Sequence, residues 1–255
     1  MSQHEIAHPL ALGAQYQLGN HKATYKASMN GMMLGVLFLI ISILLLLFFI
    51  YRIYDVVSTI LLCICIFIIF IIGLFLFVQT YQDRMLRVFI YDSGLIYVGR
   101  ASHQTIHWQN VQAVWHKVTT QGADASRTTS HSYTVNCTDG TQLRLDPMTI
   151  ADLQLLGQSI EVQTARHLYP TALDTYQMGQ DVVFGPLTVT QRGLSCESKF
   201  LAWMEMESIR IDKENGYIAV RKQGMRFRWG AANMADVPNV EVLRMLIQHI
   251  TGVRP

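Results

Sequence analysis

Two long apolar runs near the start of the chain limit most strongly what it can fold into. Gly31–Tyr51 reads GMMLGVLFLIISILLLLFFIY and Val56–Val78 reads VVSTILLCICIFIIFIIGLFLFV, with no charged residue in either. About 18 apolar residues are enough for a spanning helix, and about 20 residues cover a hydrocarbon core of roughly 30 Å. Buried helices of soluble proteins rarely run so long without a charge. The first run is also too long, and starts too far into the chain, for a cleaved signal peptide. The runs predict a two-helix transmembrane hairpin over 31–80, with spans at about 32–51 and 56–78.

Only Arg52-Ile53-Tyr54-Asp55 joins the runs, so the helices are expected to be antiparallel neighbours. Tyr51 and Tyr54 stand at one interface and Tyr25 and Tyr81 at the other, where amphipathic rings are favoured. Lys22, Lys26, Arg84 and Arg87 flank the ends away from the turn, against Arg52 at the turn. The positive-inside bias then predicts a multi-pass protein of the plasma membrane with both termini cytoplasmic. The polar residues inside the spans are Ser42, Ser58, Thr59, Cys63 and Cys65. Transport and proton relays usually need intramembrane charges or broken helices, so the hairpin reads as an anchor. Gly31-xxx-Gly35 could bring two helices close, but it lies at the edge of the span and is better read as a chance match.

Charged residues make up 15% of the chain, and the deficit against an ordinary soluble protein is local to these runs. Over 85–255 there are 16 Lys and Arg against 15 Asp and Glu. That balance argues against nucleic acid, which calls for a basic excess. The four cysteines form no CxxC pair and read as free thiols of a reducing compartment.

Beyond Arg84 the pattern changes to short β-rich runs bounded by turn residues: Arg87–Tyr91, Gly94–Val98, Thr105–Trp108, Val111–Val118, Tyr133–Thr138 and Gln142–Leu145. Asp146-Pro147 then reads as a helix start, with Asp as N-cap and Pro at the first helical position, and the helical segment runs past Pro170 to about Gly179. The order repeats in Val182–Phe184, Leu187–Thr190, Gly193–Cys196, Phe200–Trp203, Met206–Ile211, Tyr217–Lys222 and Met225–Trp229, with a helix after Pro238. Trp108-x-x-Val111-x-x-Val114 parallels Trp203-x-x-Met206-x-x-Ile209, and Gly94-Leu95 parallels Gly193-Leu194. Tyr133 and Gly140 match Tyr217 and Gly224, and Leu143 and Leu145 match Phe227 and Trp229. Two copies of one unit are expected, each with about seven short strands and a closing helix.

Strands closed by a C-terminal helix resemble the pleckstrin-homology-like fold. The segments YDSGLIYV (91–98), the Trp108 region, the Tyr133–Leu145 hairpin, Tyr169-Pro170 and FGPLTVTQRGL (184–194) resemble an uncharacterised family of bacterial two-span membrane proteins with tandem domains of this kind. The resemblance implies a membrane-anchored α+β chain: a transmembrane helical hairpin followed by two units, each a bent antiparallel sheet plus a C-terminal helix. The expected divisions are a 1–30 N-terminal cytoplasmic segment, irregular or partly ordered, the 31–80 hairpin, a first unit at 81–179 with its connecting helix, and a second at 180–255. The resemblance carries no catalytic residues.

The chain has no phosphate-binding glycine loop and no nucleophile elbow. His103 and His107 are four apart, but on a strand that spacing separates them by about 13 Å, so no metal site is expected. Glu205 and Glu207 flank Met206 and read as solvated carboxylates beside Arg210. Arg226 and Arg228 alternate with Met225, Phe227 and Trp229, which on a strand puts both arginines on one face beside Arg221 of the paired strand. Arg221, Arg226 and Arg228 are therefore the candidate lipid- or partner-binding strip, set against an ordinary sheet face neutralised by Asp212 and Glu214. Thr119–His131 reads as a polar connector. The sequence thus predicts a non-enzymatic, membrane-tethered binding or scaffold protein without a cofactor. Its expected partners are the bilayer, anionic lipid headgroups or another membrane protein. The alternative is an accessory subunit of a transport or envelope complex, and an enzyme with a dispersed site ranks below both.

Overall fold

The computed structural model describes residues 9–50, 56–99, 103–122 and 128–252. The chain is α+β, with two apolar helices ahead of most of its antiparallel strands. Helix α1 (Pro9–Gln15) and strand β1 (His21–Lys26) precede helices α2 (Asn30–Ile50) and α3 (Val56–Asp83). Both long helices are apolar enough to cross a membrane, and their side chains point outward, as in Leu44 (59% exposed), Phe67 (63%) and Phe75 (66%). The turn at Arg52–Asp55, with Tyr51 and Tyr54, lies outside the described residues.

The helices are antiparallel neighbours, and glycines set their spacing. A Cβ on Gly35 would stand 2.8 Å from the Phe77 amide nitrogen, and one on Gly73 would stand 3.1 Å from the Gly35 carbonyl oxygen. Gly31 faces the same helix, against the Thr80 side chain and not the backbone. The Gly31-xxx-Gly35 spacing is thus no chance match: it serves the chain's own hairpin, where missing side chains let the backbones approach.

Seven strands and a helix make up a unit that occurs twice. In the first unit β1 pairs with β2 (Arg87–Tyr91), then β3 (Gly94–Val98) and β4 (His103–His107) complete a four-stranded sheet. Strands β5 (Val111–Gln121), β6 (Thr128–Cys137) and β7 (Gln142–Leu145) form a three-stranded sheet, and α4 (Leu153–Gln177) closes the unit. In the second unit β8 (Val182–Phe184), β9 (Leu187–Val189), β10 (Gly193–Cys196) and β11 (Lys199–Ala202) form the four-stranded sheet. Strands β12 (Met206–Asp212), β13 (Tyr217–Lys222) and β14 (Gly230–Asn233) form the three-stranded one, closed by α5 (Val240–Thr251).

The two units agree in detail. Trp108 and Trp203 each open a short 3-10 turn, and their indole N–H groups donate to the carbonyls of Tyr91 (3.3 Å) and Thr190 (3.0 Å). Gly94 and Gly193 each face a carbonyl of the neighbouring strand, Ile106 and Leu201, that a Cβ would strike. A bulge falls early in both β5 and β12. Asp152 and Asn239, at the starts of α4 and α5, share a left-handed backbone, both with φ of 53°. Each unit has its own buried core. One is built around Trp108, Val135, Leu145 and Leu156, the other around Leu194, Leu201, Val220, Leu243 and Leu246.

This correspondence places the hairpin. Strands β8 and β9 are joined by Gly185-Pro186, with Phe184 opposite Leu187. Strands β1 and β2 pair equally closely, Lys26 opposite Arg87, yet residues 27–86 run between them. The helical hairpin therefore occupies the position of a tight turn. Its roots are held: Ala27 N donates to Leu86 O (3.2 Å), Ser28 N to Thr149 O (3.0 Å) and Ala151 N to Lys26 O (2.9 Å).

Several expectations need correcting. Residues 21–26 are not an irregular segment: β1 is the edge strand of the first unit, and Tyr25 faces Ser159 of α4 (3.3 Å between hydroxyl oxygens). The long insertion separated β1 from its sheet in sequence and hid it. Asp146-Pro147 starts a single turn, and the helix begins only at Leu153. It runs through Pro170 to Gln177 without a break. Most of Thr119–His131 is not a connector but the end of the β5–β6 ladder, with Thr119 opposite Ser130 and Gln121 opposite Thr128. The remainder, 123–127, lies outside the described residues. The β-branched threonines favour this extended pairing although both faces are polar. Finally, Met225–Trp229 is not a strand, because β14 is Gly230–Asn233. Leu145 pairs with Tyr133, and Ala232 with Ile218, so these are the equivalent pairs; the match to Phe227 and Trp229 and the Tyr133–Tyr217 match are out of step.

Candidate functional site

The misread strand is the part of the second unit that departs most from the first. The β6–β7 connection is Thr138-Asp139-Gly140-Thr141, a tight acidic turn in which Asp139 accepts from Thr141 N at 2.8 Å. The corresponding β13–β14 connection is Gln223–Trp229. It leaves β13 through Gly224, whose φ of +73° suits glycine, and returns where Trp229 N donates to Val220 O at 2.8 Å. Trp229 packs on the core, which pins the far end of the loop.

The loop folds over the outer face of β12 and β13. There Arg226, Phe227 and Arg228 close a groove of about 490 Å³ together with Ser208, Arg210, Tyr217, Ala219 and Arg221. The three arginines singled out from sequence do meet, though not by strand alternation: Arg221 comes from β13, and Arg226 and Arg228 come from the loop. Two of the acids nearby, Asp212 and Glu205, are engaged. Asp212 accepts from Arg210 (3.2 Å) and from Asn215 N (2.9 Å), and the Asn215 contacts and the Arg210 charge hold its carboxyl below the usual range. Glu205 is taken by Lys222 at 2.8 Å. Among the described residues no ion pair reaches Arg221, Arg226 or Arg228. Of the histidine pair, His103 and His107 lie on β4 as expected, and no metal-ligating cluster occurs among the described residues.

A second constellation was not visible in the sequence. His116 of β5 and Glu161 of α4 are 2% and 4% exposed, with His116 Nδ1 3.0 Å from Glu161 Oε1. The approach is oblique, a close polar contact and not an aligned hydrogen bond. His116 Nε2 lies 3.0 Å from His131 Nδ1, and its ring stacks on Tyr133 at 4.1 Å. Gly157 leaves room for the Tyr133 ring, which a Cβ would strike. The other Glu161 oxygen accepts from Lys213 of the second unit at 2.7 Å. Lys213 also lies 3.7 Å from Glu241, which binds Arg244 at 2.6 Å. Burial pushes the Glu161 carboxyl up, but the His116 contact and the Lys213 charge outweigh it and hold the group below the usual range. Burial and the neighbouring His116 push His131 down.

This cluster sits where the units meet. The turn carrying Lys213 is set by Gly216 (φ +70°), which packs on Val118 of β5 where no side chain would fit. Beside it, Asn239 reaches into the β5 bulge: its Oδ1 accepts from Val114 N (2.8 Å), its Nδ2 donates to Gln112 O (3.1 Å), and its backbone N donates to Val114 O (2.8 Å). With His116 and Glu161 so buried, the arrangement suits joining two units better than acting on a substrate.

No curated protein and no solved structure matches the chain. One family profile matches residues 1–254, covering the apolar helices and both seven-stranded units, so the chain belongs to DUF6585, a family of unknown function.

Proposed function

We propose that this is a non-enzymatic membrane protein whose helical hairpin anchors two pleckstrin-homology-like units at the cytoplasmic face of the plasma membrane, where the second unit binds an anionic, phosphate-bearing ligand. The observation that carries the reading is the groove of Arg221, Arg226 and Arg228. It occurs in one copy of a duplicated unit, on the loop that differs, and its cations have no acidic partner among the described residues. Three further features support it. Each unit has a four-stranded and a three-stranded antiparallel sheet closed by a C-terminal helix, the pleckstrin-homology-like order. The hairpin leaves and re-enters one sheet edge, so a spanning hairpin keeps all other described residues on one side of the bilayer. Lys22, Lys26, Arg84 and Arg87 lie on that side, as cytoplasmic flanks do.

The test uses the full chain in neutral phosphatidylcholine nanodiscs, exposed to vesicles with or without phosphatidylglycerol. Anionic vesicles are expected to be captured and neutral ones not, with capture weakening as salt rises. At about 1 kcal/mol per basic residue, Arg226→Ala with Arg228→Ala should weaken capture roughly 30-fold. Competition by inorganic phosphate would identify a phosphate site, and its absence a requirement for a surface. Equal capture of neutral and anionic vesicles, unchanged in the double variant, would refute the reading.

A further inference from the structure

The groove does not stand alone at its end of the second unit. Met204 is 88% exposed, Phe227 76% and Met225 47%. The same hydrogen bonds that shape the loop bring the backbone segments that carry these side chains together. Gln223 N donates to Glu205 O (2.8 Å), Lys222 pairs with Glu205, and Met225 N donates to Lys222 O (3.1 Å). The 3-10 turn Trp203–Glu205 and the Gln223–Trp229 loop thus form a single tip, with Met204, Met225 and Phe227 beside Arg221, Arg226 and Arg228. The first unit has no counterpart: its turn is Thr138-Asp139-Gly140-Thr141, and Gln109 stands where Met204 stands, one residue after the tryptophan.

Exposed methionines and a phenylalanine, beside arginines that no ion pair engages among the described residues, are poorly suited to water and well suited to a lipid–water interface. There apolar side chains enter the acyl boundary while guanidinium groups meet headgroup phosphates. A free phosphate would use the arginines and leave the apolar side chains idle. A protein partner would have to be rich in acids and also offer an apolar surface. We infer that the tip of the second unit is a membrane-inserting surface: Met204, Met225 and Phe227 enter an anionic bilayer while Arg221, Arg226 and Arg228 bind its phosphates. This rests on the ligand class proposed above and adds that the occupant is a bilayer, so the chain holds membrane through its tip as well as through its hairpin.

The experiment again uses the full chain in neutral nanodiscs with added vesicles, comparing the parent with Met204→Gln/Met225→Gln/Phe227→Gln and, separately, Phe227→Trp. Insertion predicts that the triple variant captures anionic vesicles at least roughly tenfold less well, since apolar burial is lost while every arginine remains. It also predicts that the added fluorescence of Trp at 227, over the parent, is quenched by vesicles with brominated acyl chains. The altered side chains are exposed, so both variants should keep the parent's melting profile, and that profile checks their folding. Anionic capture at the parent's strength in the triple variant, with no bromine quenching, would overturn insertion and leave headgroup binding intact. Failure of the parent to capture anionic vesicles would overturn both readings.

Discussion

At the scale of single residues, the decisive group is Glu161. It is a buried carboxylate that touches both halves of the chain, on His116 and on Lys213. Removing one partner of a buried ion pair leaves the other uncompensated, which costs about 3–5 kcal/mol. Lys213→Ala, which leaves the Glu161 carboxylate buried without its cation, should therefore destabilise the chain strongly, and calorimetry or denaturant melting of the detergent-solubilised protein would read it. The linkage to pH has a definite sign. The fold holds His131 below its ordinary range, so the folded state takes up the proton less readily than the unfolded one. Stability should fall as pH drops below about 6.5. Glu161 is also held low, so its contribution is present above the ordinary carboxylate range and is lost only at more acid pH, through its depressed value. A melting midpoint that declines from pH 7 toward about pH 5.5, with a smaller decline in His131→Gln, is the expected result. A flat profile in the parent would contradict it.

At the scale of elements, the two units compare a loop with its own counterpart. Replacing Gln223–Arg228 by Thr-Asp-Gly, while keeping Trp229 for the core, should give the second unit the tight turn of the first. Vesicle capture is expected to vanish, while the melting midpoint moves little, because the exchanged side chains are solvent-facing. Loss of the cooperative melt would show that the loop supports the fold. The same comparison explains what the sequence concealed. Met225–Trp229 alternates as a strand should, but the neighbours of β13 were already chosen. Val220 sits opposite Gly230 and Ile218 opposite Ala232, because that register buries Ile218, Val220 and Ala232 together. Alternation told which residues could share a face and could not tell which of two adjacent runs would find a partner. The tryptophans and strand glycines were legible because their roles are local: an indole returning to a nearby carbonyl, and a backbone that must pass close to its neighbour.

At the scale of the whole molecule, the hairpin is an insertion into a turn, and this makes a strong prediction. Replacing residues 28–85 by Asn-Gly, which suits a two-residue hairpin turn, should restore the short connection seen between β8 and β9. Ala27 and Leu86 stay, because both are buried in the first core. The product is expected to be a water-soluble protein with a single cooperative melt and both tryptophan sites intact. Recovery only as aggregate would mean that the apolar helices are needed for the first unit to fold, and not merely inserted in it.

The sequence by itself determined what depends on neighbours along the chain: two apolar helices too long and too uncharged for an ordinary core, the strand periods, the closing helices, and a duplication marked by Trp108 and Trp203. It also singled out Arg221, Arg226 and Arg228 as neighbours, since residues so close in the chain meet under almost any local conformation. Only the tertiary structure decided which strand completes the first sheet. The partner of β2 lies beyond the whole hairpin, and no local pattern crosses residues 27–86. It alone brought His116, His131, Glu161 and Lys213 into one cluster, because these residues come from β5, β6, α4 and the β12–β13 turn and converge only when the two units dock. Periodicity reports how a segment faces its surroundings, and packing decides which surroundings those are.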